Sequence, residues 1–338
     1  MDWRQTMWNK PVIGLSGVGS RSMAAAHLLL IAGSMLPLAA CHRTEPTVAV
    51  IPKTCGTLLW EAEHTGAERE AKARGINVYW NAPMREDDIQ GQIDLVSRAL
   101  DRGAKGVIVS PVAALPFRAP AYGMLQKGIP VVVIGTDLGL APDKKLAYVL
   151  NDEHSGGQLA ARKIGQLLGG HGAIAIMGIS NQLSGTAERA RSIETTLAEE
   201  FPQIEIRART LALPTVSQEQ EAAEKLLAQD LPVNAIIALS GPSTRGAFYA
   251  LTEFNKVAAI RLVGFDQDLM VPIRMGGLDA VVIQNTVQMG RAAMQLMDDE
   301  LHGRSSQGYV VVQPELVTRE NLDTPQVREM FDLGWFLP

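Results

Sequence analysis

The feature that most limits what this chain can fold into is a rhythm. From residue 47 onward, short runs of β-branched and aliphatic residues alternate with stretches of helical period. The pattern predicts strands at 47–51, 76–80, 106–110 and 130–134. Between them it predicts helices at 58–74 and 87–102, and a third ending at Lys127. Gly75 and Gly128 stand where helices stop, and Pro111 ends a strand. Asp87 and Asp88 suit the positive end of a helix. Strands alternating with helices are βαβ units, which build parallel sheets. Only 5% of residues are aromatic while 46% are hydrophobic, which fits strands buried on both faces.

The rhythm restarts after a strand at 147–150. Helices at 156–168, 186–200, 218–229 and 243–255 lead in turn to strands at 173–177, 205–209, 235–239 and 261–265. A strand at 278–283, a helix at 287–301 and a segment at 309–317 close the pattern. Residues 105–111 and 234–241 occupy equivalent places in the two halves. The chain of 338 residues is long enough for two domains. The expected fold is therefore α/β, with two doubly wound parallel-sheet lobes. Such sheets bind ligands beyond the carboxyl ends of their strands, so two facing lobes would enclose one cleft.

The first 40 residues read as a targeting segment. Arg4, Lys10 and Arg21 precede an apolar run that reaches Ala40. Basic residues, an apolar run and small residues before a cut site make a secretory signal peptide. The run is short for a membrane span and is broken by Pro37. Leu38-Ala39-Ala40-Cys41 resembles the bacterial lipobox, which implies lipidation of Cys41 and cleavage just before it. Residues 1–40 would then be the signal peptide and 41–46 a tether. The bland alternatives are an ordinary signal with a chance cysteine, or a membrane helix. The glycines at 14, 17 and 19 superficially suggest a phosphate loop, but no strand–turn–helix pattern surrounds them.

Several chemistries are disfavoured. The net charge is −5 with both signs interspersed, so there is no basic surface for nucleic acid. Cys41 and Cys55 provide no metal spacing, and Cys55 reads as a small buried thiol. His42, His64, His154, His171 and His302 are scattered. No nucleophile elbow or Walker motif occurs in a suitable context. The expectation is a protein that is not an enzyme and uses no metal or cofactor.

Four segments carry a family resemblance. They are Val50 to Thr54 followed by Leu59-Trp60, then Gly128 to Val132, then Gly264-Phe265-Asp266, then Gln284-Asn285 with Met289-Gly290. In this order and spacing they resemble the ribose-binding-protein family, the type I periplasmic binding proteins, over about residues 47–320. The resemblance implies a hinge of three crossing segments, near Asn151-Asp152, Gln284-Asn285 and Gln313-Pro314. One lobe would be 47–151 plus 286–313, the other 152–285 plus 314–338.

It also implies ligand-binding positions. Sugars are held by carboxylates, amides and Arg, with aromatics over their C–H faces. Leu59 and Trp60 fall at positions where the family places aromatics. Phe265, Asp266 and Gln284 match ligand-loop residues, and Arg191 matches a helix arginine, with Arg189 as its close alternative. Trp60 as a core residue, Asp266 as a helix cap, Gln284 as a backbone-bound hinge residue and Arg191 as a solvated charge are the competing readings. An Asp-Arg pair of the family is replaced by Gly135-Thr136, with Asp137 one place on. An Asn-Asp pair is replaced by Ser240-Gly241. A hydroxyl does not replace a bidentate carboxylate, which points from ribose itself toward another polyol, a modified sugar or a small non-sugar solute.

The implied function is an exported, lipid-anchored, monomeric solute-binding protein of the periplasm or cell envelope. It would deliver a sugar or similar small solute to an ABC transporter permease. The alternative partner is a membrane sensor kinase or chemoreceptor. A transcriptional regulator on the same fold would need a helix-turn-helix where the export signal lies.

Overall fold

The computed structural model describes residues 45–180, 184–229, 232–304 and 307–331. In chain order the elements begin with β1 (Thr47–Ile51), α1 (Leu58–Arg74), β2 (Asn77–Trp80), α2 (Ile89–Asp101), β3 (Gly106–Val109), α3 (Ala114–Gln126), β4 (Val131–Ile134) and β5 (Leu146–Asn151). There follow α4 (Glu153–Leu167), β6 (His171–Ile179), α5 (Ser184–Glu200), β7 (Gln203–Leu211), α6 (Val216–Ala228), β8 (Ala235–Ala238), α7 (Gly241–Glu253) and β9 (Arg261–Gly264). After a 3-10 turn at Gln267–Leu269 come α8 (Met270–Met275), β10 (Ala280–Ile283), α9 (Thr286–Leu301), β11 (Tyr309–Val312), β12 (Glu315–Val317) and α10 (Pro325–Glu329).

The strands form two six-stranded sheets, β11-β5-β4-β3-β1-β2 and β12-β10-β9-β8-β6-β7. All pairings are parallel except β10 with β12. Alternation along a strand sends successive side chains to opposite faces, and here each face has its own core. Val48 and Val50 pack with Ala67 of α1 and Met289 to Met297 of α9. Ala49 and Ile51 pack with Val96 of α2 and Phe117 of α3. In the second sheet Ile174 and Ile176 meet Ile164 of α4 and Ile193 of α5, while Ala175 and Met177 meet Leu226 of α6 and Ala250 of α7. The central strands β3, β4, β8 and β10 are buried on both faces and read as continuous apolar runs, whereas the edge strand β7 alternates with one face exposed.

Three differences from the sequence reading have local causes. The segment 309–317, one run in the apolar pattern, is divided between the sheets: β11 joins the first and β12 the second, with Gln313-Pro314, where the family resemblance implied a crossing, between them. Helix α2 starts two residues later than predicted, because Asp88 is its N-cap and accepts from Gly91 N at 2.9 Å. The 3-10 turn, α8 and α10 carry no long period, and the pattern did not predict them.

The chain passes between the sheets three times: from β5 to α4, from β10 to α9, and from β11 to β12. Two passages are bonded together. Asp152 N donates to Val312 O at 2.9 Å, and Gln313 Nε2 donates to the Asp152 carboxylate at 3.1 Å. The passage after β10 sends α9 back across the first sheet onto α1, where the backbones nearly touch. A Cβ on Gly66 would lie 1.9 Å from Val287 O, and one on Gly290 would lie 2.1 Å from Glu63 O. No described helix is long and apolar enough to cross a membrane.

The contact at Gly290 is with backbone, which cannot rotate away. Gly290→Ala should therefore destabilise the protein by about 1–3 kcal/mol or more, the cost of overpacking. A denaturant melt checks this, and a midpoint equal to wild type would mean that α1 and α9 slide apart freely.

Candidate ligand cleft

Parallel strands all finish at one edge, and the carboxyl ends of both sheets open onto a cavity of about 570 Å³. Its first wall is built at the ends of β1, β3 and β4 by Lys53, Thr57, Leu59, Trp60, Glu63, Ser110 and Thr136. Its second wall follows β8, β9 and β10, with Ser240, Arg245, Phe265, Asp266, Gln267, Asp268 and Gln284. Glu153 and Arg189 reach it from α4 and α5.

On the first wall, Gln92 fixes the strand ends. Its amide donates to Pro52 O and Ser110 O, both at 2.9 Å, and accepts from Val112 N. Trp60 and Glu63 are three apart on α1 and share a face. Trp60 is 8% exposed, and its Nε1 has no hydrogen-bond partner among the described residues. Glu63 is wholly buried, with Ser110 Oγ at 2.9 and 3.1 Å from its two oxygens. Burial pushes its pKa up to about 8, against the opposing pull of the Ser110 bond and Lys53. At neutral pH it is an uncharged acid. Lys53 is half-buried, and burial pulls its pKa down while the Glu86 carboxylate resists.

On the second wall, Arg189 donates to both oxygens of Glu153 and to Leu239 O at 2.7 Å. Its guanidinium lies 4.3 Å over the Phe265 ring, a cation–π stack that fixes both groups. Asp266 Oδ1 caps the 3-10 turn by accepting from Asp268 N at 2.9 Å. Asp266 Oδ2 lies 3.0 Å from Arg245 Nε yet has no hydrogen bond. Burial pushes the Asp266 pKa up to about 7, with the Arg245 charge opposing.

The two walls touch. Thr57, the N-cap residue of α1, makes no side-chain cap bond. Asp268 on the opposite wall does this work instead, accepting from Leu58 N at 2.8 Å. Helix α1 is thus capped from across the cleft.

Most of the expected site residues line this cavity: Leu59, Trp60, Thr136, Ser240, Phe265, Asp266 and Gln284. The Ser240 hydroxyl is engaged as the N-cap of α7, accepting from Ser243 N at 3.3 Å. Two expectations need correction. Arg191 is 70% exposed and paired with Glu188, because residues two apart on a helix point away from each other; Arg189 faces the cleft. Asp137 is turned aside, its Oδ1 accepting from Gly139 N at 2.7 Å in a local turn, and it lines a smaller neighbouring cavity. Cys55, expected as a buried filler, is a half-buried free thiol. Cys41 lies outside the described residues.

Lys53, Glu63, Glu153, Arg245, Gln267 and Asp268 were not singled out from the sequence. Glu63 carried a usable signal, since its spacing of three from Trp60 and four from Ala67 puts it on the buried face of α1. Among the described residues, no three His, Cys, Asp or Glu side chains cluster to hold a metal.

Five lining residues have buried polar atoms with no hydrogen bond among the described residues: Thr57, Trp60, Asp266, Gln267 and Thr286. Leaving such a group unpaired costs about 1–3 kcal/mol, so a polar ligand that pairs them is strongly favoured.

Comparison with known proteins agrees with this geometry. Residues 48–305 match the family model described as a periplasmic binding protein domain. A ribose import binding protein of Bacillus subtilis is 24% identical over 82% of this chain and 89% of its own length. A xylitol-binding protein of Mycolicibacterium smegmatis is 25% identical over 76% of this chain and 73% of its own length. Among solved structures, an ABC transporter solute-binding protein from Agrobacterium vitis bound to α-D-tagatopyranose superposes with a TM-score of 0.78 at 17% identity, covering 85% of this chain and 99% of that one. The chain belongs to the periplasmic binding protein domain family, of type I.

Proposed function

We propose that the chain is an exported binding protein that captures a small polyhydroxylated solute in the cleft and delivers it to an ABC permease. It acts by binding and conformational change, without catalysis. The observation that carries this reading is the set of buried, unpartnered polar atoms contributed by both walls. Trp60, Phe265, Asp266 and Gln284, with Arg189 in place of Arg191, are the side chains we assign to the solute. The B. subtilis relative is an import binding protein and the M. smegmatis relative a xylitol-binding protein, which supports a polyol or sugar carried inward.

The lobes in this reading are 47–151 plus 286–313, and 152–285 plus the chain from 314 onward. They hinge at the three passages between the sheets. Solute touching both walls favours the closed form, since only that form makes both sets of contacts. A signal peptide at 1–40 and a lipid on Cys41 would hold the protein at the envelope membrane.

Four outcomes test the reading. In a thermal-shift screen of the mature protein against sugars and polyols, a ligand at 100 times its Kd should add about 2.7 kcal/mol of stability. Asp266→Ala should then weaken that ligand by about 1.5–3 kcal/mol, the worth of a hydrogen bond to a charged group. A hit whose affinity is untouched would remove Asp266 from the site. Asp268→Ala removes the cap that α1 receives from the other wall, worth about 1 kcal/mol. The ligand-free protein should become more open, read as a larger radius of gyration in small-angle scattering, while saturating ligand restores the wild-type profile. Identical profiles without ligand would show that this bond does not hold the walls together. Cys41→Ser should move the protein from the membrane fraction to the soluble one, and mass spectrometry finding no lipid on wild-type Cys41 would end the anchor proposal.

A further inference from the structure

Lys53 stands out among the charges of the cleft. It follows β1 at a rigid point: Pro52 O is held by Gln92, and Thr54 Oγ1 donates to Pro83 O at 3.1 Å. Its side chain lines the cavity and makes no hydrogen bond or ion pair with the described residues. The other cations on the lining are matched in place. Arg189 is paired with Glu153, Arg245 with Asp266 and Asp268, and Asp87 with Arg85. Glu63 is neutralised by burial. Glu86, half-exposed, acts on Lys53 from beyond ion-pair distance.

Polar atoms without a hydrogen bond among the described residues lie on both walls. On the first-sheet side with Lys53 are Trp60 Nε1, a donor, and the hydroxyls of Thr57 and Thr286, which can donate. On the second-sheet side are the Gln267 amide, which donates and accepts, and Asp266 Oδ2, an acceptor whose charge is paired with Arg245. A neutral sugar presents hydroxyls everywhere and satisfies either wall equally. A carboxylate accepts only, and accepts best where a cation and several donors converge. Enclosing an unpaired ammonium costs several kcal/mol, which an anionic group repays through charge pairing. Lys53 is the lining cation with no ion pair of its own among the described residues, and a single ammonium suits a singly charged carboxylate better than a dianionic phosphate.

Resting on the reading of this cleft as a solute site, we propose that the solute is a polyhydroxylated carboxylate, an aldonic or uronic acid. Its carboxylate sits on Lys53 and its hydroxyls face Asp266. Lys53 is then the residue that selects the acid over the neutral sugar.

The test is isothermal titration of the mature protein with galacturonate, glucuronate and gluconate, beside galactose and glucose. At least one acid should bind ten-fold or more tighter than its neutral counterpart. Lys53→Met should lower that acid-to-neutral ratio by at least ten-fold, and Lys53→Arg, which keeps the charge, should largely retain it. Thermal melts of both variants report folding independently. If neutral sugars bind and none of the acids does, the acid inference is overturned while the cleft remains a solute site. If an acid binds with a ratio that Lys53→Met leaves intact, Lys53 is not the selector. If neither class binds, the solute-site reading falls as well.

Discussion

Asp152 ties together two of the three segments that pass between the sheets. Its carboxylate caps α4 by accepting from Ser155 N at 2.9 Å and Ser155 Oγ at 2.8 Å, and it also accepts from Gln313 Nε2. Its own N–H is bonded to Val312 O. Burial works against the charge, but the Ser155 and Gln313 bonds outweigh it and hold the carboxyl below its ordinary pKa. One ionised group thus fixes the start of the helix that enters the second sheet's core and the strand that leaves the first. With this joint in place, the carboxyl ends of both sheets stay aimed at one cleft. Each wall can then be built from ordinary strand-end loops, with no element that must span the gap.

The walls are individually stiff and jointly weakly bound. Each loop is braced within its own sheet: Gln92 for the first, and Thr244 for the second, where its hydroxyl accepts from Phe265 N at 3.0 Å. Glu219, wholly buried, accepts from Leu213 N and Ser243 Oγ, both at 2.8 Å, and so joins the loop after β7 to the start of α7. Across the cleft, by contrast, the Leu58 to Asp268 bond is a single cap of modest worth. Stiff walls with a small bias between them suit a protein whose ligand must decide the equilibrium, because a differential affinity of only about 10²-fold then changes the dominant state.

How much was legible in the sequence follows from where the physics is local. Strands buried on both faces leave unbroken apolar runs, and Gly75 ends α1 in the left-handed conformation where a stop was expected. Strand-end residues were legible too, because a doubly wound sheet places its loops at one edge: Trp60, Phe265, Asp266 and Gln284 all reach the cavity lining. Helix phase was not. Arg189 and Arg191 differ by two residues, and only packing decides that Arg189 turns inward onto Phe265. Asp137 was lost to a side-chain turn that sequence spacing does not foretell. Glu63 and Lys53 were not singled out, since charged residues are seldom buried without a partner. The division of 309–317 left no mark in the apolar pattern and was implied only by the family resemblance.

Those unforeseen charges give the cleft its chemistry. Glu63 and Asp266 both have raised folded-state pKa values, near 8 and near 7. A raised value means the folded state holds the proton more tightly than the unfolded chain does. Their contribution to stability is therefore full below the ordinary carboxylate range and is lost as pH climbs through the folded value. Glu63 has Ser110 Oγ within hydrogen-bond distance of both its oxygens. Asp266 differs, because its Oδ2 faces the cavity with the Arg245 charge beside it and no hydrogen bond. A solute hydroxyl donating to that oxygen favours the charged form and opposes burial. Solute and proton thus compete for one oxygen atom, on the wall opposite the cation that has no partner of its own.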